Sequence, residues 1–327
     1  MKRRILSGIQ PSGRLHLGNW FGAIRQHVAL QEEGHQCFYF VANYHALTSG
    51  VDRDRLADST LHVAAAYLAL GIDPARSVLF VQSDVPQVTE LAWFLNCVCP
   101  MGLLERATSF KDKVARGMGA NVGLFDYPVL QAADITAYDA HLVPVGADQK
   151  QHIEITRDLV GKFNQAVGAE VLVSPEPYIV ENVAVVPGID GQKMSKSYGN
   201  TIEIFETPKA TARRVVQIVT DSTPLEAPKD PARCNVFALL KLFAPPEEVA
   251  EIAEAYRRGG YGYGHAKKRL GEWINTAFAP ARERYEELRA HPDRVRDVLR
   301  EGGRRAREVA EATLVRVRDA AGILRHD

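Results

Sequence analysis

The first two hundred residues alternate short apolar runs with segments of helical periodicity. Three apolar runs have the length and composition of buried strands: residues 4–7, 37–41 and 78–82. Between the last two, residues 56–70 place Leu61, Ala64 and Leu68 on one face at helical spacing. Short strands separated by amphipathic helices predict an α/β fold, a doubly wound parallel sheet with helices on both faces. Ligands of such sheets bind beyond the carboxyl ends of the strands, here in the loops after Leu6 and Val41.

The pattern changes after Asn200, where strand-like runs almost disappear. Glu, Arg, Ala and Leu dominate from residue 247 to residue 324, and residues 281–288 and 306–317 read as amphipathic helices. The glycine-rich run 259–264 follows no strand, so it predicts a junction between helices rather than a nucleotide-binding loop. The chain is therefore expected to form an α/β domain over residues 1–200 and an all-helical domain over residues 201–327.

Composition narrows the class of protein further. The chain is 46% hydrophobic, 24% charged and 8% aromatic, which excludes disordered and fibrous classes. Its 40 basic and 40 acidic residues cancel, so no whole-protein field attracts an anionic partner. The basic start at residues 1–4 is followed by no apolar signal region, and no run approaches the length of a membrane span. The four cysteines have no metal-ligand spacing. We expect a reduced, cytoplasmic protein that does not enter a membrane.

The most specific segment is Lys193-Met194-Ser195-Lys196-Ser197, which follows a glycine-flanked turn. Two lysines three residues apart in a small polar loop can close over a polyphosphate, to which serine hydroxyls and backbone N–H groups add donors. The alternative is a solvated lysine loop without function. A fixed string of five residues arises by chance in a chain of this length on the order of once in ten thousand. The string therefore favours phosphate binding.

The second segment, residues 8–19, follows the first predicted strand and leads into a helix over residues 20–30. Gly18 permits close approach of a ligand or of backbone, and His16 and Asn19 point the same way at the start of the helix. Helix N-termini offer free N–H groups to anions. Taken alone, His16 is more simply a surface or capping histidine. Together with the lysine loop, the segment favours a nucleotide site.

These two strings, in this order, resemble the signatures of class I aminoacyl-tRNA synthetases. The first is similar to their His-Ile-Gly-His signature with Asn19 in the place of the second histidine, and the second is their Lys-Met-Ser-Lys-Ser signature unaltered. The resemblance extends over almost the whole chain to the bacterial tryptophanyl-tRNA synthetases, in four further strings: residues 8–13, 127–135, 145–152 and 260–262. It implies a Rossmann-like catalytic domain and a helical domain that binds the tRNA anticodon.

The resemblance also implies a reaction and its residues. ATP would activate L-tryptophan, with Mg²⁺ held mainly by the ATP phosphates, and the tryptophanyl group would pass to the 2′-hydroxyl of the terminal adenosine of tRNA(Trp). The groups expected to stabilise the charge that develops are His16, Asn19, Lys113, Lys193 and Lys196. The residues expected to bind ATP are Gln10, Pro11, Ser12, Gly18, Asn19, Gly146, Ala147, Asp148, Val185, Lys193, Met194, Ser195, Lys196 and Ser197. The residues expected to bind tryptophan are Leu6, His45, Tyr127, Asp134 and Gln149.

Several positions keep two interpretations. Asp134 is either a surface or capping aspartate of a helix, or the acceptor of the indole N–H that the resemblance implies. His45 suits the core and the pocket about equally. Ser109 and Gln131 stand where many family members carry Gln and Met, which leaves the packing around the carboxylate and the indole open. Three histidines without metal-ligand spacing are interpreted as structural: His141, His152 and His265.

Two rival functions and one open surface remain. Tyrosyl-tRNA synthetases share the fold, and Gln131 with Asp134 suits a tyrosine pocket, but residues 8–13 and 148–152 are of the tryptophan type. A non-catalytic paralogue would have no need of the lysine loop and the His16/Asn19 motif. The apolar segment 91–95 is either a buried core helix or part of the homodimer interface that the family implies.

Overall fold

The computed structural model describes the following residues: 2–11, 13–48, 50, 52–107, 121–146, 150–179 and 186–324. Its strands are β1 Arg4–Ile9, β2 Gln36–Val41, β3 Ser77–Val81, β4 Leu142–Pro144 and β5 Glu176–Tyr178. The α-helices of the first half are α1 Leu17–Asn19, α2 Arg25–Glu32, α3 Asn43–Leu47, α4 Arg53–Ala69, α5 Gln87–Val98, α6 Met101–Glu105, α7 Val122–Thr136 and α8 Lys150–Val167. Those of the second half are α9 Pro208–Val216, α10 Asn235–Leu240, α11 Pro246–Arg258, α12 Tyr263–Ala290 and α13 Pro292–Ala320. A π-helical turn, Trp20–Ile24, joins α1 to α2.

The five strands form one parallel sheet in the order β3-β2-β1-β4-β5. Ile5 in β1 lies opposite Cys37 in β2 and Leu142 in β4, so the strand order reverses on the two sides of β1. The parallel α/β prediction is confirmed. All three predicted strands are present, although Gln82 begins a 3-10 turn instead of ending β3. The reversal marks the loops after β1 and β4 as the place where such sheets bind ligands.

Helices cover both faces of the sheet because successive side chains of its strands point to opposite sides. In β2, the ring of Phe38 stacks on Tyr138 with centroids 5.4 Å apart, whereas the ring of Tyr39 stacks on His27 at 4.7 Å on the other face. The segment 91–95 lies in α5, which buries Leu91 and Leu95 in the same core and leaves Trp93 69% exposed. The core interpretation of that helix is therefore correct for one of its faces.

The chain forms two compact units. The first comprises residues 1–13, 27–181 and 291–327, and the second comprises residues 14–26 and 182–290. The last helix, α13, belongs to the first unit: Leu314 joins the core, and Arg305 and Arg307 donate to the carbonyls of Pro74 and Asp84 at 3.0 and 2.8 Å. The expected division into a catalytic domain, residues 1–200, and an anticodon-binding domain, residues 201–327, concerns function as well as packing. It stays a prediction.

The described regular elements of the second unit are helices, as the pattern after Asn200 predicts. The glycine-rich run 259–264 joins α11 to α12, which confirms its interpretation as a junction. Arg282 of α12 donates to the carbonyl of Ile204 at 2.7 Å and to the hydroxyl of Thr211 at 2.9 Å, which fixes the helix to α9 and to the segment before it. Within the part of the chain that the structure describes, no helix combines the length and apolar character needed to cross a bilayer.

Candidate active site

His16 and Asn19 lie at the start of the first helical run. The backbone N–H of His16 donates to Oδ1 of Asn19 at 3.0 Å, and the backbone N–H of Asn19 donates to the carbonyl of His16 at 2.8 Å. The His16 ring folds over Gly18, where a Cβ atom would come within 2.9 Å of the ring atoms Nδ1 and Cε1. The spacing of the string therefore has a physical reason, since only glycine leaves room for the imidazole.

The environment of His16 decides its charge. The residue is 6% exposed, and its Nδ1 has no hydrogen-bond partner among the described residues. Burial and, secondly, the positive charge of Lys196 lower the pKa of His16 to about 4. The imidazole is therefore neutral at pH 7. It can offer a polar N–H or a lone pair to a ligand, but it contributes no positive charge.

A short antiparallel pairing holds His16 in place. His16 lies opposite Glu203, and the flanking bonds run from Leu17 N–H to Ile202 O and from Ile204 N–H to Leu15 O, both at 3.0 Å. These contacts join residues far apart in sequence, so sequence reasoning did not identify Glu203. A strand-like alternation at residues 202–205 is its only local signal.

The same carboxylate forms an ion pair beside the histidine. Arg14 contacts Glu203 at 3.3 Å and Glu206 at 2.7 Å through its guanidinium group. Glu203 also acts on the lysine loop, because its negative charge partly offsets the effect of burial on Lys196. An acidic residue therefore lies within electrostatic range of a lysine expected to bind phosphate.

The lysine loop packs beside the His16 segment. The backbone N–H of Met194 donates to Val186 O at 2.9 Å, and the buried Met194 side chain lies next to Gly18. Lys193 is exposed, whereas Lys196 is half-buried and its pKa is lowered by that burial. The structure thus brings together His16, Gly18, Asn19 and the predicted loop within the second unit.

The hydroxyls of the loop and one further residue complete this group. Oγ of Ser195 and Oγ of Ser197 lie 2.9 Å apart and are accessible in part. Asn200, which is 1% exposed, accepts a hydrogen bond from Ser195 N–H at 2.8 Å. Sequence reasoning placed Asn200 only at a domain boundary and missed this contact.

Asp134 is buried in the first unit with two donors on its carboxylate. It lies in α7, is 2% exposed, and accepts from Nε2 of His45 at 2.7 Å. Nε2 of Gln82 donates to both carboxylate oxygens at 2.9 Å. A carboxylate only accepts, so the Nε2 atom of His45 carries its proton on that side. The interpretation of Asp134 as a surface or capping residue is wrong, because α7 turns it inward.

A tyrosine and a second histidine extend this cluster. The hydroxyl of Tyr127 lies 2.7 Å from Nε2 of His152, and the rings of His45 and Tyr127 meet edge to face with centroids 6.3 Å apart. Tyr127 also lines a cavity of about 510 Å³, together with Trp93 and other side chains of the first unit. His45, Tyr127 and Asp134 are therefore neighbours. Gln82 was missed, and His152, expected to be structural, belongs to the same group.

The remaining expected residues fall into two sets. Gln10, Pro11 and Gly146 follow β1 and β4 at their carboxyl ends, whereas Leu6 lies inside β1 at 1% exposure and packs in the core. Gln131, the departure from the family pattern, lies half-buried one turn before Asp134. The other expected or doubtful positions lie outside the described residues: Ser12, Ser109, Lys113, Ala147, Asp148, Gln149 and Val185.

The fold and these two groups of side chains define a class I aminoacyl-tRNA synthetase. The family model described as tRNA synthetases class I (W and Y) matches residues 1–279, and the chain belongs to this family. Within it, similar sequences include tryptophan–tRNA ligases. A tryptophan–tRNA ligase of Rhodopirellula baltica is 52% identical over 320 residues, which cover 98% of this chain and 99% of the relative.

Solved structures agree with that likeness. A tryptophanyl-tRNA synthetase from Campylobacter jejuni, complexed with ADP and tryptophan, is 50% identical and matches with a TM-score of 0.93, covering 98% of this chain and all of that one. The enzyme from Mycoplasma pneumoniae matches at 28% identity with a TM-score of 0.80, covering 99% of each chain. A tyrosyl-tRNA synthetase from Archaeoglobus fulgidus matches at 21% identity and a TM-score of 0.65, which extends the likeness of fold alone.

Proposed function

We propose that this protein activates L-tryptophan with ATP, releases pyrophosphate, and transfers the tryptophanyl group to the 2′-hydroxyl of the terminal adenosine of tRNA(Trp). The observation that carries the proposal is the identity of about one half, over nearly the whole chain, to tryptophan–tRNA ligases. The Lys-Met-Ser-Lys-Ser string is unaltered and the first string keeps His16, Gly18 and Asn19, which favours an active enzyme over a binding paralogue.

Asp134 selects the indole. A tryptophan ring nitrogen is a donor only, and Asp134 supplies a buried acceptor whose orientation is fixed by His45 and Gln82. A site built around such a bond discriminates strongly against phenylalanine, because the buried acceptor would then lack its partner. Tyr127 and Gln149 bind the amino group of the substrate, and Leu6 supplies apolar contact.

Activation requires positioning and charge stabilisation rather than a base. The tryptophan carboxylate is already ionised at neutral pH, so it attacks the α-phosphate directly and pyrophosphate leaves. Lys113, Lys193 and Lys196 stabilise the charge that grows on the phosphates, and ATP enters as its Mg²⁺ complex. His16 and Asn19 act as neutral polar groups, in keeping with the lowered pKa of His16.

The other expected residues bind the remainder of ATP. The phosphates bind to backbone close to Gly18 and to the hydroxyls of Ser12, Ser195 and Ser197. The nucleoside binds to residues after β1 and β4. Those after the strands are Gln10, Pro11, Gly146, Ala147 and Asp148, with Val185 against the adenine through its backbone and Met194 packed below the loop.

The proposed assembly is a homodimer that binds tRNA through its helical region, residues 201–327. Trp93 is 69% exposed and lines the cavity of the first unit together with Leu47, which is 56% exposed. Large apolar side chains exposed side by side are costly in water and are typical of a surface that a partner covers. A second copy of this chain is the partner we propose.

Aminoacylation tests the proposal. The protein, MgATP, radiolabelled tryptophan and tRNA(Trp) transcript should yield acid-precipitable tryptophanyl-tRNA. A transcript ending in 2′-deoxyadenosine should accept no label, whereas one ending in 3′-deoxyadenosine should accept it. No charging of the intact transcript by a protein that forms the adenylate would limit the function to activation, and equal charging of both deoxy transcripts would contradict the 2′-hydroxyl assignment.

A further inference from the structure

The side chain of Asn200 forms hydrogen bonds with three residues between positions 190 and 195, two of which belong to the lysine loop. Its Nδ2 atom donates to Oδ1 of Asp190 at 2.8 Å and to the carbonyl of Lys193 at 3.1 Å. Its Oδ1 atom accepts from the N–H of Ser195 at 2.8 Å. The backbone carbonyl of Asn200 accepts from Ile189 N–H at 3.0 Å. One residue therefore holds the chain at residues 189–190, just before the loop, and at Lys193 and Ser195 within it.

The surroundings of Asn200 are shaped around this side chain. The residue is 1% exposed, and a Cβ atom at Gly188 would lie 2.3 Å from its Nδ2, so only glycine leaves space for the amide. From the other side, the Arg214 guanidinium donates to the carbonyls of both neighbours, to Thr201 at 2.8 Å and to Gly199. The position of Asn200 is thus determined by packing and by hydrogen bonds on both sides.

These contacts define what Asn200 can do. Both N–H bonds of its amide are used within the loop, so the side chain has no donor left for a phosphate. The groups it holds are the carbonyl of Lys193 and the N–H of Ser195, the backbone from which the two lysines project. Its hydrogen bond to Asp190 lowers the pKa of that carboxyl, so the acceptor stays ionised to a lower pH than an ordinary aspartate does.

We propose that Asn200 is a positioning residue for catalysis: its buried amide holds residues 190–195 in the conformation from which Lys193 and Lys196 reach the leaving pyrophosphate. The inference rests on the proposed function, and it adds a residue outside the five-residue string to that mechanism. Preorganised charge is effective because the geometry is fixed before the reaction begins. Loss of this amide should therefore lower the rate of activation and leave tryptophan recognition unchanged.

The main variant is Asn200→Asp. Aspartate keeps the size and shape of the side chain, removes both donors, and places a second carboxylate against Asp190. We expect the single-turnover rate of tryptophanyl-adenylate formation, at saturating ATP and tryptophan, to fall by about 10- to 100-fold, as misplacement of reacting groups does. The KM for tryptophan should stay within about twofold, since the side-chain bonds of Asn200 go to residues 190–195, whereas the indole acceptor Asp134 is held by His45 and Gln82.

Two further variants separate positioning from general damage. Asn235→Asp is the matched control, because Asn235 lies beside Gly191 and, among the described residues, its side chain donates to Val219 O at 3.3 Å and not to residues 193–197. Its rate should equal that of the unsubstituted protein. The double variant Asp190→Asn, Asn200→Asp reverses donor and acceptor, restores one of the two bonds that Asn200→Asp loses, and removes the like charges. It should recover part of the lost rate.

The outcomes are distinct. A rate for Asn200→Asp within threefold of the unsubstituted protein, or a loss matched by Asn235→Asp, would overturn the positioning role. Absence of adenylate formation by the unsubstituted protein would instead overturn the proposed function. If Asn200→Asp does not fold, Asp190→Ala decides, because Asp190 is exposed and this change removes the bond from Asn200 together with one from the N–H of Gln192. A rate indistinguishable from the unsubstituted protein would then refute the proposal.

Discussion

Replacing Asp134 by asparagine should impair tryptophan use far more than ATP use. The carboxylate accepts from His45 at 2.7 Å and from Gln82 at 2.9 Å, and it is 2% exposed. An amide of the same shape has one acceptor oxygen, so its NH₂ group must face one of these donors. Either the network rotates or the indole N–H loses its acceptor. Hydrogen bonds to a buried charged group contribute about 1.5–3 kcal/mol each.

From this we expect the variant to lose about 2–4 kcal/mol of transition-state stabilisation. At 1.4 kcal/mol per factor of ten, kcat/KM for tryptophan should fall roughly 30- to 700-fold. The measurement is ATP–pyrophosphate exchange over a range of tryptophan concentrations, with the KM for ATP expected to change by less than about threefold. Asp126→Asn is the matched control. Asp126 lies in the same helix, half-buried, with one side-chain bond at 3.1 Å from Asn96. Tryptophan kinetics of Asp134→Asn within threefold of the control would refute the assignment of Asp134 to the indole.

Four further results are expected. Lys196→Ala should slow adenylate formation by about 100- to 1,000-fold in single-turnover experiments, with the Kd for ATP nearly unchanged, because the charge of Lys196 acts mainly on the leaving pyrophosphate. A loss confined to ATP affinity would contradict this. Gly18→Ala should cost about 1–3 kcal/mol of activation free energy, because a Cβ displaces the His16 ring, whereas Gly22→Ala, with nothing within 4 Å of a Cβ, should be silent in the same assay. The NMR signal of the His16 ring should titrate near pH 4. The free energy of unfolding that comes from keeping this ring neutral is then complete above about pH 6.5 and is lost as the pH falls towards 4. A titration midpoint above about pH 6 would contradict the burial argument. Sedimentation should show a dimer at micromolar concentration that Trp93→Lys converts into a monomer, and a monomeric parent protein would exclude the proposed interface.

The sequence predicted the sheet well for a physical reason. Strands of a parallel sheet are buried on both faces, so their sequences are continuous apolar runs. Residues 37–41 form such a run, and all of them lie in β2. Helix α4 and the helix that carries Asp134 follow equally strong local signals. The end of β3 was misplaced by one residue because Gln82 directly follows an apolar run, whereas its polar side chain donates to Asp134.

The site was predictable only where the chemistry is local. His16, Asn19 and the lysine loop form short strings whose spacing carries the information. Glu203 depends on a pairing with His16, far away in the sequence, which no local spacing encodes. Asn200 contacts Ser195 and Lys193 within the same segment, but it lies outside the five-residue string and was therefore missed. The charge of His16 was equally hidden, since its pKa follows from burial and from a lysine that lies 180 positions later in the chain.

The most direct test of the central claim is ATP–pyrophosphate exchange with each of the twenty amino acids in turn. The buried acceptor at Asp134 and the intact lysine loop predict rapid exchange with tryptophan and exchange at least about 1,000-fold slower, per kcat/KM, with tyrosine and phenylalanine. Preferential exchange with tyrosine would show that the indole assignment is wrong. No exchange with any amino acid would contradict the proposal that this chain is an active ligase.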